Sequence, residues 1–179
     1  MQTNMKNVIA ARTQAVPIPT PEGEFTARYS AQGLCSLEFP SGGKPRKNKA
    51  ATARPAAHIR RWHAATCEAL SLALAGQPPK RLPPIDLSQG TEFQQRVWRT
   101  LRKISRGRTW SYAQVARAVG NPKAVRAVGG ACGANPIPVF VPCHRVLAAN
   151  RRLGGFSGGL NWKRALLKVE GIRLPDYDA

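Results

Sequence analysis

Two helix-start signals in the second half of the chain constrain its fold more than any other feature of the sequence. In each signal a hydroxyl residue is followed three positions later by glutamine, so each side chain can satisfy the other residue's free backbone donor. These capping boxes lie at Thr91–Gln94 and Ser111–Gln114. The first predicts a helix with an apolar stripe from Phe93 to Ile104, and the second predicts a short helix that ends at Gly120. The C-terminal half is therefore predicted to be mainly helical.

A further helix is predicted directly after this short one. Asn121 and Pro122 are residue types that favour an N-cap and the first helical position, and the helix is expected to run to about Gly133. Two short helices joined by a tight turn predict a helix-turn-helix. The second helix is built from small residues around one long charged side chain, Arg126. Small residues suit tight packing or close approach to DNA, and in so basic a chain we favour DNA.

The N-terminal half has a different pattern. Apolar and polar residues alternate over Phe25–Tyr29 and again over Gly33–Phe39, which predicts a β-hairpin or meander. Apolar residues recur at helical spacing over His58–Ala75, and the turn formers of 83–90 then predict a linker. The fold class is therefore α+β: a small α/β domain followed by a mainly helical domain with the helix-turn-helix.

These patterns divide the chain into three parts. We expect a mobile arm or loosely attached first strand over 1–16, an α/β domain over 17–88, and the helical domain over 89–179. A basic, glycine-containing stretch at 41–57 has almost no apolar residues. It is expected to be a solvated loop, and nonspecific contact with DNA is the alternative.

The charge of the chain indicates its partner. A net charge of +19 and a pI near 11.2 attract polyanions such as nucleic acid, with a membrane surface as the rival partner. No apolar run is long enough to span a bilayer, and the N-terminus lacks a signal-peptide pattern. The protein is therefore expected to be intracellular: cytoplasmic in a bacterium, nuclear in a eukaryote.

Four cysteines are spaced irregularly, without a C-x-x-C pair, which argues against both a disulfide framework and a zinc ribbon. His63 and Cys67 stand four residues apart and could share one helix face, with His58 and Cys35 as further candidate ligands. A half-buried helix face is the favoured interpretation. We expect no metal and no cofactor.

Cys143 is the candidate nucleophile, because it lies between a proline and a histidine in a strongly basic chain. A thiol attacks as the thiolate, so it needs a neighbour that takes its proton or stabilises its charge. His144, Arg145 and the later carboxylate Glu170 are candidates for these roles. Taken alone, a Cys-His dipeptide is more often a buried structural cysteine.

Taken together, the motifs resemble those of the O6-alkylguanine-DNA alkyltransferases, also called methylated-DNA–protein-cysteine methyltransferases. The similarity covers essentially the whole C-terminal half, and the N-terminal half resembles the family's smaller, ribonuclease-H-like α/β domain more loosely. The matching residues of the C-terminal half are Gly90-Thr91-Glu92-Phe93-Gln94, Val97-Trp98, Ser111-Tyr112, Asn121-Pro122, Arg126-Ala127-Val128-Gly129, Asn135-Pro136, Pro142-Cys143-His144-Arg145-Val146, Gly158-Gly159 and Glu170-Gly171.

The resemblance implies a direct-reversal repair reaction. Cys143 would accept the alkyl group of O6-alkylguanine, and of O4-alkylthymine, in an irreversible single turnover. His144 would take the thiol proton through a water, Glu170 would orient His144, and Tyr112 would donate to the leaving guanine. The alkyl pocket and its neighbourhood would be lined by Tyr112, Asn135, Val146, Phe156 and Ser157, with Asn135 bracing the turn before the cysteine.

The resemblance also implies the mode of DNA binding. A monomer would bind double-stranded DNA through the minor groove, with Arg126 filling the space left by a flipped-out base. The family pattern places Lys123, Ala127 and Gly129 beside Arg126 on the same helix or the turn before it. The chain departs from the pattern at Ser105 and at Asn150-Arg151-Arg152, where Arg151 and Arg152 can add phosphate contacts.

Three other functions were considered. A non-catalytic lesion sensor is the main alternative, although such relatives carry another residue at the position of Cys143. A Cys-His-Glu hydrolase would need an oxyanion hole, for which the sequence gives no sign. A helix-turn-helix transcription factor would need several base-reading side chains on its second helix, which here is mostly small.

Overall fold

The computed structural model describes residues 13–40 and 55–174. An N-terminal unit of three strands and one helix is followed by a unit with four helices and a pair of very short strands. The N-terminal elements are β1 (Gln14–Thr20), β2 (Gly23–Ser30), β3 (Gly33–Glu38) and α1 (Ala57–Leu74). The C-terminal elements are α2 (Glu92–Leu101), β4 (Trp110–Ser111), α3 (Tyr112–Ala118), α4 (Val125–Gly133), β5 (Val146–Leu147) and α5 (Leu160–Val169).

The first three strands form an antiparallel meander in the order β1-β2-β3. Buried residues alternate along β2, as the sequence pattern predicts, so the meander is confirmed. Strand β1 begins at Gln14 and pairs with β2 along its length. Residues 14–16 of the predicted arm therefore belong to this strand. Residues 1–12 of that arm and 41–54 of the predicted basic loop lie outside the described residues.

Helix α1 packs on this sheet, which confirms the predicted helix. The Tyr29 hydroxyl donates to Thr66 Oγ1 at 2.9 Å, and Thr66 Oγ1 donates to the Trp62 carbonyl at 2.7 Å. The predicted linker is also attached to the sheet, because the Leu34 N–H donates to Pro84 O and the Asp86 N–H donates to Leu34 O, both at 2.8 Å. The segment between the units is therefore held in place by backbone hydrogen bonds.

Both capping boxes are present in full, and both confirm the predicted helix starts. Helix α2 lies against α4: the buried Trp98 indole donates from Nε1 to the Ala131 carbonyl at 2.8 Å. The ring also lies so close to Gly90 that an added Cβ there would be 2.2 Å from it. Trp98 thus fixes the position of α4 relative to the start of α2.

Two local predictions were wrong. Helix α4 starts at Val125, with Ala124 as an N-cap that lacks a side-chain hydrogen bond, so Asn121 and Pro122 do not cap it. The Asn121 N–H instead donates to Ala116 O at 3.0 Å, and its carbonyl accepts from the Ala124 N–H at 3.0 Å. The Asn-Pro pair therefore closes the turn between α3 and α4.

The second error concerns Val139 to Val141, an apolar run directly before Pro142 and Cys143 that the sequence alone predicts to be a short strand. This segment is a turn, in which the Val141 N–H donates to Ile137 O at 2.9 Å. Val139 has φ 77°, a left-handed conformation that β-branched residues rarely adopt. The two prolines at 136 and 138 cannot donate to a strand partner, which explains why an apolar sequence does not become a strand here.

A single buried apolar cluster joins the two units. It contains Phe25 and Leu37 of the sheet together with Val97, Ile137 and Val141 of the C-terminal unit. Its rim is aromatic: the Trp162 ring on α5 lies 5.2 Å from the Phe25 ring and 4.9 Å from the Phe39 ring. Among the described residues there is no helix of the length and apolar character that crossing a membrane requires.

We predict that Trp98→Phe lowers the free energy of unfolding by about 1–3 kcal/mol, because it leaves the buried Ala131 carbonyl without its donor. Urea denaturation checks this value. Trp162→Phe is the matched control, since its ring packs on Phe25 and Phe39 without a recorded indole hydrogen bond in the described structure. Equal losses in the two variants would contradict the assigned role of the Trp98 hydrogen bond.

Candidate active site

Cys143 begins a short 3-10 turn, Cys143–Arg145, that follows Pro142. The residue is 3% exposed, so its thiol lies inside the protein. The Asn135 Nδ2 atom donates to Cys143 Sγ at 3.0 Å. An N–H donor at this distance stabilises a developing thiolate more than a thiol, because it points a positive dipole at the sulfur.

Asn135 connects this thiol to helix α4. It follows the C-cap of α4, and its Nδ2 also donates to the Val141 carbonyl at 2.7 Å. Its Oδ1 accepts from the Ile137 N–H at 3.0 Å. One buried side chain therefore braces the turn between α4 and the cysteine, and also contacts the sulfur itself.

His144 lies next to the carboxylate of Glu170, the C-cap residue of α5. The distance from His144 Nε2 to Glu170 Oε1 is 3.0 Å, and the imidazole is 1% exposed. Because the carboxylate accepts a hydrogen bond from the Nε2–H group, the neutral ring keeps its lone pair on Nδ1. Nδ1 is buried and has no hydrogen-bond partner among the described residues. This nitrogen is thus the basic atom of the site.

Arg145 holds Glu170 in place, a role that the sequence analysis did not assign specifically. Its Nε donates to Glu170 Oε2 at 3.0 Å, and its Nη2 donates to Oε1 at 2.7 Å. Its Nη1 donates to the Ile104 carbonyl at 2.6 Å, which anchors the guanidinium to the end of α2. A planar guanidinium that grips both carboxylate oxygens fixes their orientation toward His144.

The pKa values of these groups follow from burial and from these contacts. Burial raises the pKa of the Cys143 thiol, and the Asn135 hydrogen bond and the charge of Lys163 offset this only in part. Burial lowers the pKa of His144, against the opposing effect of Glu170. Burial would raise the pKa of Glu170, but His144 and Arg145 outweigh it and bring the pKa to about 2. Near neutral pH the site therefore holds a thiol, a neutral imidazole and a carboxylate.

Tyr112 is half-buried at the start of α3, near both Cys143 and α4. Burial raises its pKa to about 12, with smaller contributions from Cys132 and Cys143, so its hydroxyl stays protonated. Two glycines lie against it: an added Cβ would be 3.1 Å from the hydroxyl at Gly154 and 4.0 Å from the ring at Gly129. A side chain at Gly154 would crowd the phenol and would also be strained by the φ of 62°, whereas a Cβ at Gly129 would make only ordinary van der Waals contact with the ring.

Lys163 was missed by the sequence analysis. It is fully buried on α5, and its Nζ donates to the Val146 carbonyl at 2.7 Å and to the Leu153 carbonyl. It thereby joins strand β5 to the loop that begins at Leu153. A lysine on an amphipathic helix is ordinarily assigned to solvent, so the sequence carries no signal for this burial.

The remaining predicted pocket residues lie at different depths. Val146 is buried on β5, beside the cysteine turn. Phe156 is half-buried, with its ring 5.5 Å from that of Phe39, and the neighbouring Ser157 is exposed. The structure therefore brings Val146 to the site from the C-terminal unit and packs the loop of Phe156 on the N-terminal sheet.

Of the five residues predicted to bind DNA, four lie on α4 or in the turn before it, and Arg151 lies in the loop after β5. Lys123, Arg126 and Ala127 are exposed, whereas Gly129 is half-buried against Tyr112. Arg151 is exposed in a tight loop in which the Ala148 N–H donates to the Arg152 carbonyl at 2.7 Å. Arg151 has φ 60° and donates from Nη2 to the Arg173 carbonyl at 3.0 Å.

His63 and Cys67 of α1 contact each other. His63 Nε2 lies 3.5 Å from Cys67 Sγ, and the Tyr29 hydroxyl lies 3.2 Å from His63 Nδ1. Within residues 13–40 and 55–174, no three His, Cys, Asp or Glu side chains are grouped so that they could hold a metal ion. The four cysteines are free thiols.

Comparison with known proteins agrees with this geometry. Residues 92–172 match the family model described as the DNA-binding domain of 6-O-methylguanine DNA methyltransferase. The methylated-DNA–protein-cysteine methyltransferase of Haemophilus influenzae is 54% identical over 88 residues. That match covers 49% of this chain and 49% of the relative, so it spans about half of the relative's length.

Solved structures extend the similarity to nearly the whole chain. The O6-methylguanine methyltransferase of Mycobacterium tuberculosis is 36% identical and superimposes with a TM-score of 0.74 over 92% of this chain and 96% of its own. A Mycobacterium tuberculosis OGT structure in complex with DNA is 36% identical, with a TM-score of 0.72 over the same shares of both chains. Identity of this extent, with the shared fold, shows that the chain belongs to the methylated-DNA–protein-cysteine methyltransferases.

Proposed function

We propose that this protein repairs alkylated DNA by moving the alkyl group of O6-alkylguanine, and of O4-alkylthymine, onto Cys143. The observation that supports this most directly is the buried Cys143 thiol, held by Asn135 next to a histidine whose far nitrogen is bound by Glu170. This arrangement supplies a nucleophile, a proton acceptor and a charge that stabilises the protonated acceptor.

The reaction begins with proton transfer. The Cys143 proton passes, through a bridging water, to His144 Nδ1, the nitrogen that keeps its lone pair because Nε2 faces Glu170. The imidazolium that forms is stabilised by the Glu170 carboxylate. Because the pKa of Cys143 is raised, the thiol stays protonated until His144 takes its proton. Asn135 then donates a hydrogen bond to the thiolate.

The thiolate then attacks the alkyl carbon in line with the bond to guanine O6. A sulfur–carbon bond forms, the oxygen–carbon bond breaks, and its electron pair stays on guanine. Tyr112, which remains protonated because its pKa is raised to about 12, gives a hydrogen bond or proton to the base. When Tyr112 gives its proton it regains one from solvent, and His144 releases the thiol proton to solvent, so the net change moves one proton from Cys143 to guanine and restores both residues. The thioether product has no hydrolytic exit, and each molecule reacts once.

DNA binding in this proposal uses α4 and the loop of Arg151. Helices α3 and α4 act as a helix-turn-helix in which α4 enters the minor groove, where its small exposed residues permit close approach. Arg126 fills the stack when the alkylated base is flipped out, and Lys123 and Arg151 contact phosphates. The protein acts as a monomer, and its N-terminal sheet and helix form the ribonuclease-H-like domain that supports this surface.

The geometry of the site gives less support to two of the alternatives, the lesion sensor and the hydrolase. A lesion sensor has no use for a thiol that is hydrogen-bonded by Asn135 beside a histidine–carboxylate pair. A hydrolase needs donors aimed at an oxyanion. Here the donor nearest the nucleophile, Asn135 Nδ2, points at the sulfur itself. Self-alkylation therefore accounts best for the site.

We predict that the protein gains a single methyl group on incubation with a duplex that carries one O6-methylguanine. Cys143→Ala is expected to abolish this gain, because it removes the acceptor sulfur. Intact-protein mass spectrometry measures both. The matched control is Cys67→Ala, which removes a half-buried thiol of α1 and should still gain one methyl group. Unmodified wild-type protein that still retains the duplex on a gel would instead support the sensor.

We further predict that Glu170→Gln slows methyl transfer by about 100-fold, because the neutral amide no longer stabilises the imidazolium of His144. Single-turnover kinetics with excess protein measure the rate, and the affinity for undamaged duplex should stay at the wild-type value. Glu38→Gln removes a carboxylate from the exposed Arg28 ion pair and is the control, with an unchanged rate. A wild-type rate in Glu170→Gln would refute the assigned role.

The Glu170 carboxylate should also make stability depend on pH. Its pKa is lowered on folding from 4.5 to about 2. Its contribution to the free energy of unfolding is therefore fully present above pH 4.5 and is lost as the pH falls toward 2. Urea denaturation at pH 7 and at about pH 3 should therefore show a smaller acid loss for Glu170→Gln than for the wild type. Identical losses in the two proteins would contradict this prediction.

A further inference from the structure

Two cavities lie next to each other along the junction of the two units. The first, of about 220 Å³, lies between the end of α1 and the cysteine turn, and its walls include Gln77, Pro142 and His144. The second, of about 330 Å³, lies between the middle of α1 and the segment 81–84. Leu82 lines both cavities, so they are neighbours that share a wall, and we call the two cavities together the junction groove.

The junction groove is strongly basic. Its walls carry five arginines, and the only acidic residue among the described residues that line it is Glu170, whose carboxylate is already bound by Arg145. Arg106 uses one N–H for the Val169 carbonyl. The five arginines are Arg61, Arg81, Arg102, Arg106 and Arg145.

An aromatic ring lies among these charges. Trp62 lines the second cavity together with Arg61 and Arg81, and it packs on the apolar core. Its half-buried indole also contacts the His58 ring, with the centroids 4.9 Å apart. The cavity thus combines an aromatic ring with phosphate donors. Single-stranded nucleic acid is recognised by this combination, because every base has a π-face and every linkage carries a negative charge. An acidic peptide would use the arginines but would leave the ring unused.

The groove is separate from the surface that we assign to duplex binding. Neither cavity is lined by any residue of α4, by Tyr112 or by Arg151. The groove reaches the active site from another side, where His144, Arg145 and Glu170 form part of its wall. A strand lying in it would therefore leave α4 accessible to a duplex.

We propose that the junction groove is a second nucleic-acid site, which binds a single strand by phosphate contacts to Arg61, Arg81 and Arg102 and by stacking of a base on Trp62. This site does not depend on the alkyl-transfer function. It lets the protein hold a single strand while α4 occupies a duplex.

The test measures fluorescence anisotropy of a labelled oligothymidylate of about 12 nucleotides, within the usual size of a single-strand site. The strand should bind wild-type protein that is already saturated with an undamaged duplex hairpin. Arg61→Glu combined with Arg81→Glu should weaken strand binding at least about tenfold and reduce the salt slope by about 0.7 for each lost phosphate contact. Binding of the hairpin and methyl transfer to Cys143 should stay within about twofold of wild type.

The matched control reverses the charge of two exposed arginines of α2 that do not line the groove. This variant combines Arg96→Glu with Arg99→Glu. It changes the net charge equally and should weaken strand binding much less. Equal weakening in both double variants would overturn the proposal, because it would show attraction by total charge alone. Complete displacement of the strand by the hairpin would also overturn it, because both ligands would then share α4.

A measurement on the unmodified protein removes any dependence on the folding of the variants. A strand that contains 5-iodouracil is irradiated in complex with the hairpin-saturated wild type, and the adducts are mapped by peptide mass spectrometry. Crosslinks at Trp62 are expected, because a stacked base lies against its ring. Crosslinks confined to α4 or to the loop of Arg151 would reject the junction groove as the strand site.

Discussion

The amide of Asn135 is the contact on which the rest of the site depends. Its Nδ2 binds both the Cys143 sulfur and the Val141 carbonyl, and its Oδ1 binds the Ile137 N–H. These bonds hold a proline-containing turn in which Val139 adopts a left-handed conformation. Because Asn135 directly follows α4, the helix assigned to DNA and the sulfur assigned to chemistry share one rigid support. A movement of α4 would therefore also move the amide that binds the Cys143 sulfur.

The electrostatic design of the site follows from its burial. A buried thiol and a buried imidazole both stay neutral, so the protein avoids enclosing unpaired charges while it waits for a substrate. The permanent negative charge of the site lies on Glu170, which Arg145 binds, and Arg145 is itself held by the Ile104 carbonyl in the turn after α2. In the proposed reaction, charge separation occurs only when the thiol proton reaches His144, next to a carboxylate that is already oriented. The arrangement is reactive and still stable.

Much of this protein could be predicted from its sequence. The capping boxes at Thr91 and Ser111, the alternation along β2 and the apolar periodicity of α1 are local signals, and each produced the expected element. Local signals failed where two of them competed. Asn121-Pro122 closes a turn and does not start a helix, and the apolar run after Pro138 forms a turn with Val139 in a left-handed conformation, because prolines flank it on both sides.

The sequence by itself determined where α2 and α3 begin, which residue is the candidate nucleophile, and that the net charge favours a polyanionic partner. Those conclusions rest on neighbouring residues and on total charge. Only the tertiary structure decided that Asn135 contacts the Cys143 sulfur and that Lys163 is buried against the Val146 carbonyl of β5. The same holds for the ion pair between Arg145 and Glu170, which are 25 positions apart in the chain. It also brought Leu82 and the arginines of distant segments into one groove. Contacts between remote segments are fixed by packing, which no local pattern records.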